Sequence, residues 1–219
     1  VKLGILSDIH EDVELLTRAI ERLEGRRVDR LILLGDVFET GVRIGETVDL
    51  LGRAKVTGVY GNHDYGLSVA PGDYVRERYS PEVLAYMTTL VPRLELEGCS
   101  FAHREPWLDC SEIAQIWHIE EEPFRPEQLA RSFDAVPHAA IFLGHFHTWK
   151  AFEREGELDW RGGHPLFLPP DRPTMVVING VCEGFAAVFD TSTRILEPIE
   201  LYEAGTRPEN RPIPALIPG

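Results

Sequence analysis

Long hydrophobic runs are missing from this sequence. Across its 219 residues no apolar stretch reaches the roughly 20 residues needed to cross a bilayer, and the opening Val1–Leu6 gives way to Ser7 and Asp8 before a signal-peptide core could form. The expectation is a soluble, cytoplasmic protein with no membrane partner. Cysteine is scarce as well. Cys99, Cys110 and Cys182 are odd in number, widely spaced and include no Cys-x-x-Cys pair, so neither a thiolate zinc site nor dithiol redox chemistry is indicated, and reduced structural thiols are expected. Positive charge is in deficit: 22 Lys and Arg face 36 Asp and Glu, a formal net charge of -14. That balance repels nucleic-acid phosphate and anionic lipid at long range, which disfavours a polynucleotide partner.

What is present is enough for one compact domain. Hydrophobic residues make up 43% of the chain, and the length is too short for two independent domains of ordinary size. The domain is placed at residues 1–203. A Pro-rich tail, residues 204–219, carries four prolines and little periodicity. It is expected to lie on the surface or on a neighbouring subunit, which leaves room for a homodimer.

The first 64 residues repeat one unit: a β-rich run, a polar tip, then a helical segment. Val1–Ser7 reads as a strand. Behind Asp12, a suitable N-cap, Val13, Leu15, Leu16, Ala19, Ile20 and Leu23 recur at helical spacing. Arg30–Leu34 is a near-continuous apolar run, as in parallel strands buried on both faces. Helices are predicted over Gly45–Gly52, Pro81–Leu90 and Pro126–Phe133, and a third strand over Val56–Tyr60. From Arg93 the texture changes to paired β runs, with a hairpin of Arg93–Glu97 and Ser100–His103. Further strands are predicted at Ala139–Leu143, Thr148–Arg154, Met175–Asn179, Phe185–Asp190 and Ile195–Leu201, and Gly156–Pro173 as a long loop.

Metal-capable side chains fall at the ends of these strands. Asp8 and His10 end the first, Asp36 the second, Asn62 and His63 the third, His103 a hairpin strand, and His145 and His147 a later one. Five of the eight histidines are in this set. In an open α/β sheet the loops at the carboxyl ends of strands line the ligand crevice, so these groups are expected to meet. In Asp8-x-His10 and His145-x-His147 alternate residues of an extended segment share a side and can reach one ion or two adjacent ions. Oxygen and imidazole donors suit Mn, Fe, Co, Ni or Zn, with Mg also compatible. Seven ligands (Asp8, His10, Asp36, Asn62, His103, His145 and His147) exceed one tetrahedral ion but serve two if Asp36 bridges. His63 adjoins a ligand and precedes Asp64. It is expected to donate a proton to the leaving oxygen, with Asp64 orienting its ring.

Asp8-x-His10, Gly35-Asp36, Gly61-Asn62-His63-Asp64, His103 and Gly144-His145-x-His147, in that order, resemble the five-block signature of the calcineurin-like metallophosphoesterase superfamily. The likeness runs from Val1 to about His147, and Val176–Gly180 with the closing hairpin fits the family's end. It implies an α/β fold, a four-layer αββα sandwich of two mixed β-sheets flanked by helices. It also implies a centre in which Asp8, His10, Asp36 and His147 hold one metal, Asp36, Asn62, His103 and His145 the other, and His63 is the acid. Mn is the first choice of metal. The short form is similar to small bacterial phosphodiesterases of this superfamily, which often have Gly-Asn where this chain has Glu11-Asp12.

The expected function is hydrolysis of a small phosphodiester by direct attack of metal-bound hydroxide. Alternatives are a phosphomonoesterase or phosphoprotein phosphatase with the same centre, and a non-catalytic scaffold. Arg104, beside a ligand, and His164, after Gly162-Gly163, are candidate substrate contacts. Tyr65, Trp107 and Trp149 follow motif loops as candidate stacking surfaces, against the plainer reading that they close the edge of a core. The run Glu120–Glu122 is read as a solvated segment.

Overall fold

The computed structural model describes residues 1–118 and 122–203. The Pro-rich tail, and with it any dimer contact it makes, lies outside the described residues, as do Glu120 and Glu121. In chain order the elements are β1 (Lys2–Leu6), α1 (Val13–Gly25), β2 (Arg30–Leu33), α2 (Ile44–Arg53), β3 (Thr57–Gly58), α3 (Tyr65–Ser68), α4 (Asp73–Arg78) and α5 (Pro81–Met87). Then follow β4 (Arg93–Leu96), β5 (Cys99–Ala102), α6 (Ile113–Ile116), α7 (Pro126–Ala135), β6 (Ala140–Leu143), β7 (Lys150–Glu153) and β8 (Gly156–Glu157). The chain closes with β9 (Leu166–Phe167), β10 (Thr174–Val177), β11 (Phe185–Asp190) and β12 (Ile195–Glu200).

The strands form two mixed six-stranded sheets, ordered β3-β2-β1-β11-β12-β9 and β4-β5-β6-β10-β7-β8. Each contains a parallel triplet, β1-β2-β3 in the first and β5-β6-β10 in the second. Strand alternation explains how the sheets stack. In the first sheet Leu3, Ile5, Ile32, Ala187, Phe189 and Leu196 face inwards and meet Cys99, Phe101, Ala140, Phe142 and Val176 of the second. The alternate positions Leu6, Leu31, Leu33, Ala186 and Val188 pack on helices α1, α2 and α5. On the far side Ile141, Leu143, Met175 and Val177 pack on Leu129 and Phe133 of α7. The result is the α/β four-layer αββα sandwich, with β2 apolar on both faces because both are covered.

Local chemistry sets the helix ends. Asp12 caps α1 by accepting the Leu15 amide at 3.0 Å, and Ser80 caps α5 by accepting that of Val83 at 3.3 Å. The predicted helix over 81–90 stops at Met87, where the hydroxyls of Thr88 and Thr89 bond back to the carbonyls of Leu84 and Tyr86. The predicted third strand shrinks to Thr57–Gly58 at the sheet edge, with Val59 bridging Val91. The predicted loop over 156–173 contains the short edge strands β8 and β9, and its Trp160 is buried between the sheets. Among the described residues no helix is long and apolar enough to cross a membrane.

Phe142 sits at the middle of the inter-sheet layer, stacked on Phe101 at 5.3 Å and tilted against Phe189 at 5.2 Å. Phe142→Ala is expected to cost about 3–5 kcal/mol of stability. Chemical denaturation of the two proteins checks this, and a change below about 1 kcal/mol would show that the layer is not tightly packed there.

Candidate metal centre

The carboxyl ends of both parallel triplets meet at one edge of the sandwich, and the loops leaving them turn sharply. Eleven non-glycine residues have positive φ among the described residues, and five are candidate ligands: Asp8 (48°), His10 (48°), Asp36 (54°), His145 (70°) and His147 (47°). Left-handed backbone is uncommon for such residues and costs energy, and it concentrates where the surroundings enforce it for a purpose. Two glycines make the convergence sterically feasible. A Cβ on Gly61 would lie 2.0 Å from Asp36 Oδ1, and one on Gly35, itself at φ +97°, would lie 2.6 Å from the Gly61 amide nitrogen. The loops after β2 and β3 therefore touch backbone to backbone.

The candidate ligands form two groups that share Asp36. In the first, His10 Nε2 lies 3.2 Å from His147 Nε2 and 3.8 Å from Asp36 Oδ2, and His147 Nε2 lies 3.5 Å from Asp8 Oδ1. In the second, His103 Nε2 lies 2.9 Å from Asn62 Oδ1, 3.3 Å from His145 Nδ1 and 3.3 Å from Asp36 Oδ2, while His145 Nδ1 is 3.0 Å from Asn62 Oδ1. All seven sequence-predicted ligands are thus brought together.

The outward atoms are tied down by other partners. His103 Nδ1 donates to the Leu34 carbonyl at 2.7 Å and His10 Nδ1 to Glu39 Oε2 at 2.8 Å. His147 Nδ1 faces Cys182 Sγ at 3.4 Å and Glu183 Oε1 at 3.8 Å. Asp8 accepts the His145 amide on both oxygens at 3.0 and 3.1 Å and the Ser7 hydroxyl on Oδ2. Asp36 Oδ1 accepts the His63 amide at 3.0 Å. Such outer hydrogen bonds fix tautomer and ring orientation in metal sites.

The inward atoms are lone-pair donors in close mutual contact, which needs a positive charge between them. The titration behaviour of the protein groups says the same. Burial opposes ionisation of Asp36, but the charge and hydrogen bond of His103, with His10 and His63, outweigh it and hold the carboxyl far below its usual range. Burial would lower His103, yet Asp36 and Asp8 raise it. His145 falls well below the usual imidazole range through burial and through the nearby positive charges of His103 and Arg104. The nitrogen and oxygen donors therefore fit divalent cations, which satisfy these atoms more completely than a shared proton does.

Other sequence-predicted site residues fall differently. His63 is in place: its ring lies 4.9 Å from that of His10, edge to face, and its side chain is 20% exposed. Its nitrogen also comes within ligand reach of His10 and Asp36. Asp64 does not have the partner expected of it. Its Oδ1 accepts the amides of Val37 and Phe38 at 2.9 Å each and its Oδ2 that of Gly61 at 2.9 Å, so it ties the loops together, and burial raises its pKa. The carboxylate beside the His63 ring is Glu39, with Oε2 3.5 Å from Nδ1. Arg104, expected to meet a phosphate, is 2% exposed and bonds Glu105 Oε2 and the Ile116 carbonyl at 3.0 Å each. His164 is exposed, and its carbonyl accepts from Trp160 Nε1 at 2.8 Å. Trp149 is buried against Trp160, Trp107 lies under the Arg131 guanidinium, and the Tyr65 hydroxyl donates to the Ser111 carbonyl. All three cysteines are buried and none is in a disulfide, and burial pushes the Cys182 thiol far up.

Glu11, Glu39 and Trp117 escape a reading from motif spacing. Glu11 is 7% exposed, at φ 57°, and its two oxygens accept the amides of Glu39 at 2.9 Å, Gly41 at 2.6 Å and Arg43 at 2.8 Å. It is the staple of the loop that delivers Glu39. The signal was its place directly after His10, where a loop residue buried beside a metal ligand needs an anionic role. Glu11→Ala leaves three amides unpartnered and is expected to cost roughly 2–4 kcal/mol. Hydrogen exchange at the Gly41 and Arg43 amides should accelerate in this variant, and unchanged protection there would refute the staple.

A profile of the calcineurin-like phosphoesterase superfamily domain matches residues 1–179. An uncharacterized protein of Methanocaldococcus jannaschii is 32% identical over 190 residues, 80% of this chain and 73% of that protein. Among solved structures, a metallophosphoesterase from Sphaerobacter thermophilus superposes with a TM-score of 0.73 at 20% identity, covering 94% of this chain and 91% of its own. An archaeal phosphodiesterase does so at 0.51 and 16%, covering 91% and 99%. The likeness to these two structures is one of fold, and the profile match spans the strands that carry the candidate ligands. The chain belongs to the calcineurin-like phosphoesterase superfamily.

Proposed function

We propose that this phosphoesterase hydrolyses a small phosphodiester at a dinuclear metal centre. The observation that carries the reading is Asp36 Oδ2, which faces a ring nitrogen of each group, His103 at 3.3 Å and His10 at 3.8 Å. A carboxylate so placed would be able to bridge two ions. Asp8, His10, Asp36 and His147 would hold one ion and Asp36, Asn62, His103 and His145 the other. Mn is the first choice, with Fe, Ni, Zn, Co and Mg compatible with the same donors. Bound ions would stabilise the charge developing on the phosphoryl oxygens and activate water at neutral pH, so that transfer to water is direct.

The chain's own residues supply the rest. His63 gives its proton to the leaving oxygen, and Glu39, with Oε2 3.5 Å from Nδ1, orients the ring. Because Glu39 also bonds His10 Nδ1, it couples the acid to a ligand. The diester preference rests on charge. Arg104 is occupied by Glu105 and the Ile116 carbonyl and does not serve the second negative charge of a monoester. The formal charge of -14 adds to that bias and disfavours polynucleotides.

Two experiments test this. Elemental analysis should find about two ions per chain. Hydrolysis of bis-p-nitrophenyl phosphate should disappear on metal stripping, return with Mn, and be lost in Asp36→Asn. Bound metal with no turnover of any phosphate ester would favour a scaffold, and faster turnover of p-nitrophenyl phosphate would favour a monoesterase. His63→Ala is expected to keep its metal and lose about 10²–10⁴-fold in rate, most on poor leaving groups. Loss of metal in that variant would make His63 a ligand instead.

A further inference from the structure

The geometry points to Trp117 as the platform on which a flat aromatic group, borne by the leaving oxygen of the substrate, stacks. The inference rests on the phosphoesterase reading above and names the substrate class: a small ester whose leaving alcohol carries a nucleobase. Of the four tryptophans in the chain Trp117 is the exposed one, at 46%, whereas Trp149 and Trp160 are buried and Trp107 is half-buried under Arg131. Its ring centroid lies 5.6 Å from that of His63, with 40° between the planes. The acid and the indole therefore stand side by side. A proton donated by His63 goes to the oxygen that leaves, so whatever that oxygen carries comes to rest beside His63, next to the indole.

The backbone that carries the indole is fixed. The Trp117 amide donates to the Ile113 carbonyl at 3.2 Å, closing the single turn of α6. The preceding residue, Ile116, is fully buried, and its carbonyl accepts Arg104 Nη1 at 3.0 Å. Arg104 follows the ligand His103 directly and is paired with Glu105. A chain of contacts thus runs from the metal centre to the platform, so little order remains to be imposed when a ring stacks. This gives the burial of Arg104 a second purpose: the side chain that does not reach the phosphate fixes the segment that meets the rest of the substrate. A sugar or glycerol ester would leave the indole wet, while a planar base would cover it. Stacking of this kind is worth about a tenfold gain in binding, the lower part of its usual range.

The test uses the Mn-loaded full chain and inhibition of bis-p-nitrophenyl phosphate hydrolysis by adenosine 5′-monophosphate, ribose 5-phosphate and phosphocholine. The first two share sugar and phosphate and differ in the base. The wild type should bind adenosine 5′-monophosphate about tenfold more tightly than ribose 5-phosphate. Trp117→Ala should abolish that difference while leaving inhibition by ribose 5-phosphate unchanged, and Trp117→Phe should restore most of it. Equal binding of the two by the wild type, or a preference that survives in Trp117→Ala, would overturn the assignment. So would phosphocholine as the tightest of the three, because the indole would then be receiving a cation. If the wild type hydrolyses no phosphate ester, the enzymatic reading fails, and calorimetric titration of the same three probes still decides the platform.

Discussion

Everything at this edge of the sandwich depends on a carboxylate held almost entirely out of water. Asp36 is 2% exposed, and a buried anion is tolerated only when each oxygen is compensated. One oxygen is served by the His63 amide, a neutral donor fixed by the turn after β3. The other faces imidazole nitrogens from two different loops. Among the described residues no lysine or arginine pairs with it. Compensation therefore has to come from protons on the rings or from cations between them, and cations serve Asn62, His145 and Asp8 at the same time. The fit to cations thus follows from how the anion is buried as well as from the number of candidate ligands.

The fold supplies this arrangement through two parallel triplets whose carboxyl ends coincide. Neither sheet could do so alone: Asp8, His10, Asp36 and Asn62 come from the first, and His103, His145 and His147 from the second. The apolar layer between the sheets, including Phe101, Phe142 and Phe189, therefore sets the separation of the two halves of the centre. Local costs accumulate at the junction. Five candidate ligands take up left-handed backbone, and Gly61 leaves no room for a side chain against Asp36. Asp64 and Glu11 offset part of this, each accepting three backbone amides from loops that have no strand partners there.

The strand-end ligands were legible in the sequence because each lies where a hydrophobic run stops, and periodicity locates such stops well. The four layers followed from the family resemblance, and the helix cap at Asp12 from residue type. What could not be read was the partner of a side chain one step behind the ligands. Asp64 adjoins His63 in sequence, yet the turn after Gly61 sends its carboxylate to the Val37 and Phe38 amides. Glu39, 24 residues earlier than His63, takes the place beside the ring. Arg104 adjoins a ligand, but its guanidinium is taken up by Glu105 and the Ile116 carbonyl. Spacing encodes which residues share an edge. It does not encode which of two adjacent carboxylates finds a ring and which finds an amide, since that depends on loop paths set by close contacts such as Gly35 against Gly61.

The centre and its rim answer to different demands. Donor types and spacing at the ions are dictated by coordination chemistry, so they define a reaction class and leave the substrate open. Selectivity has to come from the surrounding shell, where this chain is acidic and aromatic. Glu39 and Glu183 lie behind His10 and His147, Arg104 is withdrawn into an ion pair, and an indole stands beside the acid. A doubly charged monoester would enter against those carboxylates with Arg104 already taken up by Glu105 and the Ile116 carbonyl. A singly charged diester would meet less opposition, and an attached ring would give it contact energy that does not depend on charge or salt. On the proposed reading, an acidic rim with an aromatic shelf would select for low charge and planar bulk together.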